Sequence, residues 1–155
     1  MTASASPIPK GYHSITAHLF LDRASDAIPF YQKAFGAEVL DRASDPSGKK
    51  VWHASLRIGD SIIMVNDVFP EMGGAESRSA LWLYVTDVDA SFQRAVDAGA
   101  KAGQPPTDMF WGDRIGYLVD PFGQKWTVAT RKHDLTPDEQ KKAADAFVAS
   151  MKKPG

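Results

Sequence analysis

The residues best suited to bind a ligand or to catalyse a reaction lie in one short loop and on one predicted strand. The loop Asp108–Arg114 places Phe110 and Trp111 beside an Asp-Arg pair. A tryptophan such as Trp111 can stack on a planar ligand, and a guanidinium such as that of Arg114 can fix a carboxylate or a phosphate. On the strand, His53 alternates with Ser55 and Arg57, opposite Trp52 and Ala54, so that His53 is expected on the polar face. His53 is the candidate general base, because imidazole titrates near neutral pH.

Each of these residues also has a structural interpretation. Trp111 can equally well anchor its loop in the core. For Asp113 and Arg114, a local ion pair that fixes the loop is the favoured interpretation, and for His53 a structural role is slightly favoured over a catalytic one. Two other histidines, His13 and His133, are expected at the surface.

The composition removes several function classes. The chain has 155 residues, no cysteine and a net charge of −1, which excludes disulfides, thiolate metal sites and cysteine nucleophiles. Because basic residues do not outnumber acidic ones, we expect neither a nucleic acid nor a membrane as a partner. The start of the chain lacks the apolar run of a signal peptide, and no stretch approaches the roughly 20 apolar residues that span a bilayer. We therefore expect a cytoplasmic protein.

Hydrophobic alternation predicts the strand that opens the fold. Residues 13–21 alternate between an apolar face and a mixed face. The apolar face consists of Ile15, Ala17, Leu19 and Leu21, and the mixed face of Thr16, His18 and Phe20. A helix follows, which Ser25 or Asp26 can cap, with Pro29 in its first turn and Gly36 at its end.

The order of strands and helices then occurs a second time. Asp26-Ala27 opens the first helix and Asp89-Ala90 the second, and the distance to the terminating glycine, Gly36 or Gly99, is the same in both. This internal repeat has the form βαβββ and predicts an α+β fold. The other predicted strands are residues 37–42, 51–58 and 61–66 in the first unit, and 80–85, 101–104, 115–119 and 125–130 in the second.

The repeat divides the chain into parts. We predict a mobile arm over residues 1–11, a single domain over 12–135 and a C-terminal helix over 136–151. Thr136-Pro-Asp-Glu139 has the pattern of a capping box at the start of that helix, whose apolar stripe should pack on the domain or on a partner subunit. The domain itself comprises module one (12–66), a linker (67–79) and module two (80–135).

Several motifs carry a family resemblance over about residues 12–150. Together with the repeat they resemble the vicinal oxygen chelate superfamily, which includes glyoxalase I, bleomycin-resistance proteins and extradiol dioxygenases, and more specifically its PhnB-type branch. The motifs are Ala27-Ile-Pro-Phe-Tyr-Gln-Lys-Ala-Phe-Gly-Ala37, His53-Ala-Ser-Leu-Arg-Ile-Gly-Asp60, Tyr84-Val-Thr-Asp-Val-Asp-Ala90, the loop Asp108–Arg114, Asp120-Pro-Phe-Gly123, and Ala129-Thr130 with Asp134-Leu-Thr-Pro137.

The resemblance implies a curved, cup-like mixed sheet with helices outside, a ligand inside the cup and a homodimer. The apolar strand faces should then pack on the helices and the mixed faces should line the cup. Aromatic and polar groups together are typical of a small-molecule pocket. Trp126, on the other face of its strand, is expected in the core. The predicted ligand-binding residues are Thr16, His18, Phe20, His53, Trp82, Tyr84, Trp111 and Thr127.

Metal-dependent members of the superfamily place a ligand on the first and last strand of each module. Here those positions fall on Thr16, Ala80, Thr127 and either Met64 or Asn66, none of which is a good ligand for a divalent ion. Two histidines found in many PhnB-type sequences are replaced by Gln124 and Arg131. We therefore expect no cofactor and no metal at the family position, with a divalent ion in an unrecognised ligand set as the alternative.

Three functions follow from these observations. The first is a binding protein that sequesters a drug or metabolite, as the bleomycin-resistance members do. The second is a glyoxalase-like lyase or isomerase that uses a divalent metal or His53 as the base. A structural or interaction module is the third and the weakest, because the mixed strand faces carry more aromatic and polar groups than an inert core requires.

Overall fold

The computed structural model describes residues 5–152 and shows three helices and eight strands in that part of the chain. Residues 1–4 of the predicted arm lie outside the described residues. In chain order the elements are β1 (His18–Leu21), α1 (Ala24–Phe35), β2 (Glu38–Ser44), β3 (Val51–Ile58), β4 (Ser61–Asp67), a 3₁₀ turn (Pro70–Met72), β5 (Ala80–Tyr84), α2 (Val88–Ala98), β6 (Lys101–Asp108), β7 (Asp113–Val119), β8 (Lys125–Arg131) and α3 (Pro137–Met151).

The predicted repeat is confirmed by the strand order of two four-stranded sheets. Module one has the order β1-β4-β3-β2 and module two the order β5-β8-β7-β6. In each sheet the first strand pairs parallel with the last, and the other neighbours are antiparallel. Both module helices end at a glycine with positive φ, Gly36 (67°) and Gly99 (124°), a conformation that favours glycine.

The start of α1 differs from the prediction. Neither Ser25 nor Asp26 caps it; the helix begins at Ala24, whose N–H donates to the Asp67 carboxylate from the end of β4 at 3.0 Å. The Ser25 hydroxyl instead donates to the carbonyl of Lys49. Because the helix starts earlier than expected, Pro29 lies inside it and not in its first turn.

One core unites the two modules. Tyr31 on α1 donates a hydrogen bond of 2.6 Å to Asp120, in the turn between β7 and β8, and Trp126 donates to the same carboxylate at 2.9 Å. The rings of Phe35 and Trp126 lie 4.5 Å apart. The Asp120-Pro-Phe-Gly123 turn is therefore a structural joint between module one and module two, and the predicted core position of Trp126 is confirmed.

The predicted apolar faces are confirmed with one exception. Leu19 and Leu21 are buried, and Leu81 and Leu83 pack partly buried against the core. Ile15, however, is 91% exposed. The hydrogen-bonded pairing of β1 begins only at His18, so the chain before it is not held in the sheet register that would turn Ile15 inward.

The C-terminal helix is confirmed with its capping box, in which Thr136 and Glu139 bond to each other's backbone N–H. No residue of α3 is buried. Its ring contact with the domain joins Phe147 to Phe110 at 4.8 Å. No helix among residues 5–152 is long and apolar enough to cross a membrane.

Candidate functional site

The side chains that point away from the helices form what we call the cup face of each module. In module one the sheet register aligns His18, Met64 and Ser55 across β1, β4 and β3. The next row joins Phe20 on β1 to Asn66 on β4. His53 lies opposite Asn66 on β3, because its neighbour Ala54 pairs with Val65. Strand pairing therefore brings together the two imidazoles that the alternation predicted on one face.

A cavity of about 330 Å³ lies at this end of the module-one cup face. Its volume is at the lower end of the range for small-molecule sites. The rings of His18 and Phe20 lie 4.3 Å apart, and those of His18 and His53 6.3 Å apart. The remaining wall is largely apolar and comes from the linker and the start of β3. The cavity is lined by His18, Phe20, Trp52, His53, Asn66, Asp67, Phe69, Met72 and Gly74.

The tautomer of His18 follows from the orientation of Asn66. The amide nitrogen of Asn66 donates to the carbonyl of Asp67 at 2.8 Å, so its Oδ1 faces Nε2 of His18, with which it forms a hydrogen bond. Because Oδ1 can only accept, Nε2 must carry the proton. In the neutral ring Nδ1 is then an unprotonated acceptor, available to a ligand proton.

His53 stands in a second polar chain. Its Nε2 lies 3.2 Å from the hydroxyl of Ser55 and 3.7 Å from the carboxylate of Asp41. The Ser55 hydroxyl in turn accepts a hydrogen bond of 2.9 Å from the phenol of Tyr12. His53 therefore has polar partners on one ring nitrogen and lies at the wall of the cavity, within reach of a ligand.

The segment before β1 covers the other end of this face. Tyr12 reaches Ser55, and Gly11 packs near Ile62 on β4, where an added Cβ would lie 3.4 Å from its side chain. Thr16 and Met64 line a separate cavity of about 380 Å³ together with this segment. Thr16 therefore does not share the cavity of His18 and His53.

In module two the cup face is organised around a buried carboxylate. Asp113 is 2% exposed and accepts hydrogen bonds from Tyr84 (2.9 Å), Trp111 (2.9 Å) and Arg131 (3.1 Å). Burial raises the pKa of Asp113, but the three hydrogen bonds together outweigh it and leave the pKa below its usual value. The same bond to Asp113 raises the pKa of Tyr84. Both shifts favour the neutral phenol and the ionised carboxylate, the states in which Tyr84 donates to Asp113.

These bonds support an aromatic surface. The ring of Trp82 lies 6.1 Å from Tyr84 and 6.3 Å from Trp111. Thr127 pairs with Trp82 in the strand register and stands beside it on the same face. Trp82 and Tyr84 are 47% and 59% exposed, so this surface is open to solvent. The Asp113 network therefore holds Tyr84 and Trp111 in place, and Trp82 lies beside them with its side chain partly exposed.

The two groups remain separate within one chain. Over residues 5–152, no hydrogen bond or ring contact joins His18, Phe20 or His53 to the module-two aromatic surface. The predicted ligand-binding residues thus fall into a module-one group, a module-two group, and Thr16 beneath the N-terminal segment.

The predicted Asp113–Arg114 ion pair is wrong. Consecutive residues on β7 point to opposite faces of the sheet, so the two charges separate. Arg114 bonds to Asp89 on α2 at 2.9 Å and to Asp108 at 3.2 Å, while Asp113 bonds to Arg131. Arg114 therefore ties the sheet to a helix and is not free for a ligand anion.

The residues at the family's metal positions do not fit a metal. Thr16, Ala80 and Thr127 offer two hydroxyls and a methyl group, whereas divalent ions in such sites take imidazole and carboxylate ligands. Over residues 5–152 no three His, Asp or Glu side chains converge in a way that could hold an ion. Gln124, which replaces a histidine found in many PhnB-type sequences, is buried and accepts a hydrogen bond from Ser79 at 2.6 Å. A divalent ion would therefore lack the ligands it needs at the family position.

Comparison with known proteins fixes the family. The model of the Glyoxalase/Bleomycin resistance protein/Dioxygenase superfamily matches residues 12–128. The chain belongs to this superfamily. It is 42% identical over 135 residues to the uncharacterized protein Rv0887c of Mycobacterium tuberculosis, an alignment that covers 81% of this chain and 79% of the relative.

Solved structures of the superfamily share the fold. TioX from Micromonospora sp. ML1 superposes with a TM-score of 0.63 at 26% identity, over 80% of this chain and all of TioX. The PhnB protein from Bacillus cereus has a TM-score of 0.57 at 18% identity, over 76% of this chain and 99% of that one, a likeness of fold alone. The superfamily fold predicted from the sequence is thus confirmed.

Sequence reasoning missed four residues of the module-one site. Asn66 was considered only as a poor metal ligand, yet it fixes the His18 tautomer. Trp52 and Phe69 stack at 4.4 Å in the cavity wall, although alternation placed Trp52 on the opposite face from His53 and Phe69 in the linker. Tyr12 lies just after the predicted arm. No local pattern indicates such contacts, because they join segments distant in sequence.

Proposed function

We propose that the protein binds a small aromatic or polar metabolite or drug on its cup faces, without a metal at the family position. The module-one cavity carries this proposal, because it combines two imidazoles with an apolar aromatic wall. The assignment to the PhnB-type branch and a cytoplasmic location are further parts of the proposal. They rest on the sequence motifs and on the composition.

The chemistry of the cavity indicates the kind of ligand. Nδ1 of His18 can accept a ligand N–H or O–H, and His53 can donate or accept according to its protonation. Phe20, Trp52 and Phe69 offer ring surfaces for a flat molecule. A planar ligand with at least one polar hydrogen meets all of these groups.

A homodimer is part of the same proposal. The aromatic surface of Trp82 and Tyr84 is open in one chain, and large exposed apolar surfaces favour an interaction site. A second copy that placed this surface over the module-one cavity would close the ligand between the two groups. Light scattering on the purified protein should give twice the chain mass of 16.9 kDa; a monomer at all concentrations would remove the dimer from the proposal.

Ligand binding can be tested by fluorescence, since Trp52 lies in the cavity wall. We expect saturable quenching by members of a panel of planar bicyclic compounds that includes indole, quinoline and adenine. Trp52→Phe should remove most of the signal change but not the binding measured by calorimetry. Trp126→Phe is the matched control, because it removes a tryptophan of the core that does not line the cavity. It should lower the total fluorescence but leave the quenching by the ligand. If no member of such a panel binds saturably, the proposal fails.

The alternative is a glyoxalase-like lyase or isomerase. The placement of His53 beside Asp41 at 3.7 Å favours it, because such a pair can move a proton. Turnover of the methylglyoxal–glutathione adduct would support this function, and His53→Ala should then abolish it. Elemental analysis of protein purified without chelators is a second test: near-stoichiometric Ni, Zn, Mn or Fe would contradict the metal-free proposal.

A further inference from the structure

A third cavity lies between the linker and the start of module two, outside both groups of cup residues. It has a volume of about 470 Å³ and is bounded by the chain before β5, by the β7–β8 turn and by the start of β8. This volume is within the range of small-molecule sites. The lining residues are Glu76, Ser77, Arg78, Ser79, Ala80, Phe122, Gly123 and Lys125. We call it the linker pocket.

The linker pocket carries unpaired positive charge. Within the described part of the chain, neither Arg78 nor Lys125 takes part in a salt bridge or a side-chain hydrogen bond. The carboxylate of Glu76 is the only acidic group among the described lining residues, so the pocket has a net positive charge. A guanidinium binds a carboxylate or phosphate through two parallel hydrogen bonds, and an ammonium adds a point charge.

The walls of the linker pocket are rigid. Gln124 is 1% exposed, accepts from the backbone and hydroxyl of Ser79 at 2.9 and 2.6 Å, and donates to the carbonyl of Ser77 at 2.8 Å. Asp120 accepts from the N–H groups of Phe122 and Gln124 at 2.9 Å each. The backbone on both sides of Arg78 and Lys125 is therefore fixed before a ligand arrives, which lowers the entropic cost of binding.

Phe122 adds an aromatic wall. Its ring is half-buried, and the guanidinium of Arg23, which pairs with Asp26 at 3.5 Å, lies 5.1 Å from the ring centroid. A flat ring in the pocket can pack against Phe122 while its acidic group reaches the two cations.

We propose that the linker pocket binds a small organic anion, a carboxylate or phosphate ester that carries a flat ring. Arg78 and Lys125 hold the acidic group and Phe122 contacts the ring. This site goes beyond the ligand of the cup faces and does not depend on it. Ser77 also bonds to the backbone of Phe20 on β1 through its hydroxyl and its N–H. The linker therefore connects the linker pocket to the module-one cavity, whose wall includes Phe20.

The test is an NMR titration of the ¹⁵N-labelled full chain with benzoate and with phenyl phosphate. We expect saturable shifts of the amide signals of Ser79, Ala80, Gly123 and Lys125 with at least one of the two. The comparison of the two probes separates a carboxylate site from a phosphate site. Neutral benzamide should bind at least about tenfold more weakly, since it lacks the charge that the cations recognise. Cyclohexanecarboxylate, which has no flat ring, should also bind more weakly than benzoate.

Two charge-neutralising variants and two matched controls complete the test. Arg78→Gln and Lys125→Gln should each weaken binding about tenfold. Arg42→Gln and Lys142→Gln remove exposed cations elsewhere and should leave it unchanged. The amide spectrum of each variant reports whether it is folded. The proposal is overturned if neither anion shifts these signals, if benzamide binds as well as benzoate, or if the controls weaken binding as much as Arg78→Gln.

Discussion

The cup faces of the two modules have the same topology but use their polar groups in opposite ways. In module two, Asp113 receives hydrogen bonds from Tyr84, Trp111 and Arg131, so these groups satisfy one another. In module one, His18 and His53 each have a partner on one nitrogen and line a cavity. In module two the polar groups of the cup face thus satisfy one another's hydrogen bonds. In module one each imidazole keeps a nitrogen that can still bond to a ligand.

This difference assigns separate tasks to the two faces. A saturated network such as that of Asp113 contributes to stability and keeps Tyr84 and Trp111 in position as part of a surface for stacking. Groups with unused hydrogen-bonding capacity contribute little to stability but can recognise a ligand. Substitutions on the two faces should therefore separate stability from binding.

The largest expected effect on stability is that of Asp113→Asn. The variant removes a buried charge that accepts three hydrogen bonds, so we expect a loss of about 2–3 kcal/mol in the free energy of unfolding. Urea denaturation measures it. Asp108→Asn is the matched control, because Asp108 bonds to Arg114 but is 78% exposed, and it should cost less than about 1 kcal/mol. Equal losses in the two variants would contradict the role of Asp113.

The contribution of Asp113 should also depend on pH. Its pKa in the folded protein is lower than in the unfolded chain, where an aspartate titrates at about 3.9. Its charge therefore stabilises the fold fully above that unfolded value and loses this effect as the pH falls through the lowered folded pKa. The stability difference between wild type and Asp113→Asn should be constant from neutral pH down to about 5 and shrink in more acidic solution. A difference that instead grows on acidification would contradict this.

A smaller loss is expected for Tyr84→Phe. This variant removes one hydrogen bond to a charged acceptor and keeps the ring, so about 1–1.5 kcal/mol should be lost in urea denaturation. It should also raise the pKa of Asp113 toward its usual value, which NMR of the carboxyl carbon can follow. An unchanged Asp113 pKa would show that the Tyr84 bond is not formed in solution.

In module one, Tyr12→Phe should cost less than Tyr84→Phe. The Tyr12 phenol bonds to the neutral hydroxyl of Ser55, and a neutral pair contributes about 0.5–1 kcal/mol. Both variants delete one phenol oxygen, so each serves as the control for the other. A larger loss for Tyr12→Phe would mean that the module-one face is the more strongly coupled of the two.

The smallest effect on stability is expected for His53→Gln. His53 is partly exposed and Ser55 keeps its bond from Tyr12, so the free energy of unfolding should change by no more than about 0.5 kcal/mol. A loss comparable to that of Asp113→Asn would mean that His53 is a structural residue, the interpretation that the sequence slightly favoured.

The fold was largely predictable because its signals are local. Alternation identified β3 to the residue, and the capping box at Thr136 gave the start of α3. The α1 cap was missed because Asp67, which provides it, lies 43 residues away. Ile15 was predicted on the apolar face but is exposed. Alternation shows which face of a strand a residue would occupy, whereas its burial also requires that the strand pair with a neighbour at that position.

The site was predictable only in part. Alternation placed His18, Phe20 and His53 on one face, and the strand register brings them together. The partner of Asp113 was not predictable from its neighbour Arg114, since the bond goes across the sheet to Arg131 on β8. The roles of polar residues thus depend on contacts between strands, which a single sequence does not record.

Metal-free binding at the module-one cavity is measured by a calorimetric titration of chelator-treated protein with the compound from the bicyclic panel that binds best. We predict saturable binding without added metal, a loss of affinity of about tenfold in His53→Gln, and unfolding free energies of wild type and this variant that agree within about 0.5 kcal/mol. Binding that disappears on treatment with chelator and returns with a divalent ion, or that is unchanged in His53→Gln, would contradict it.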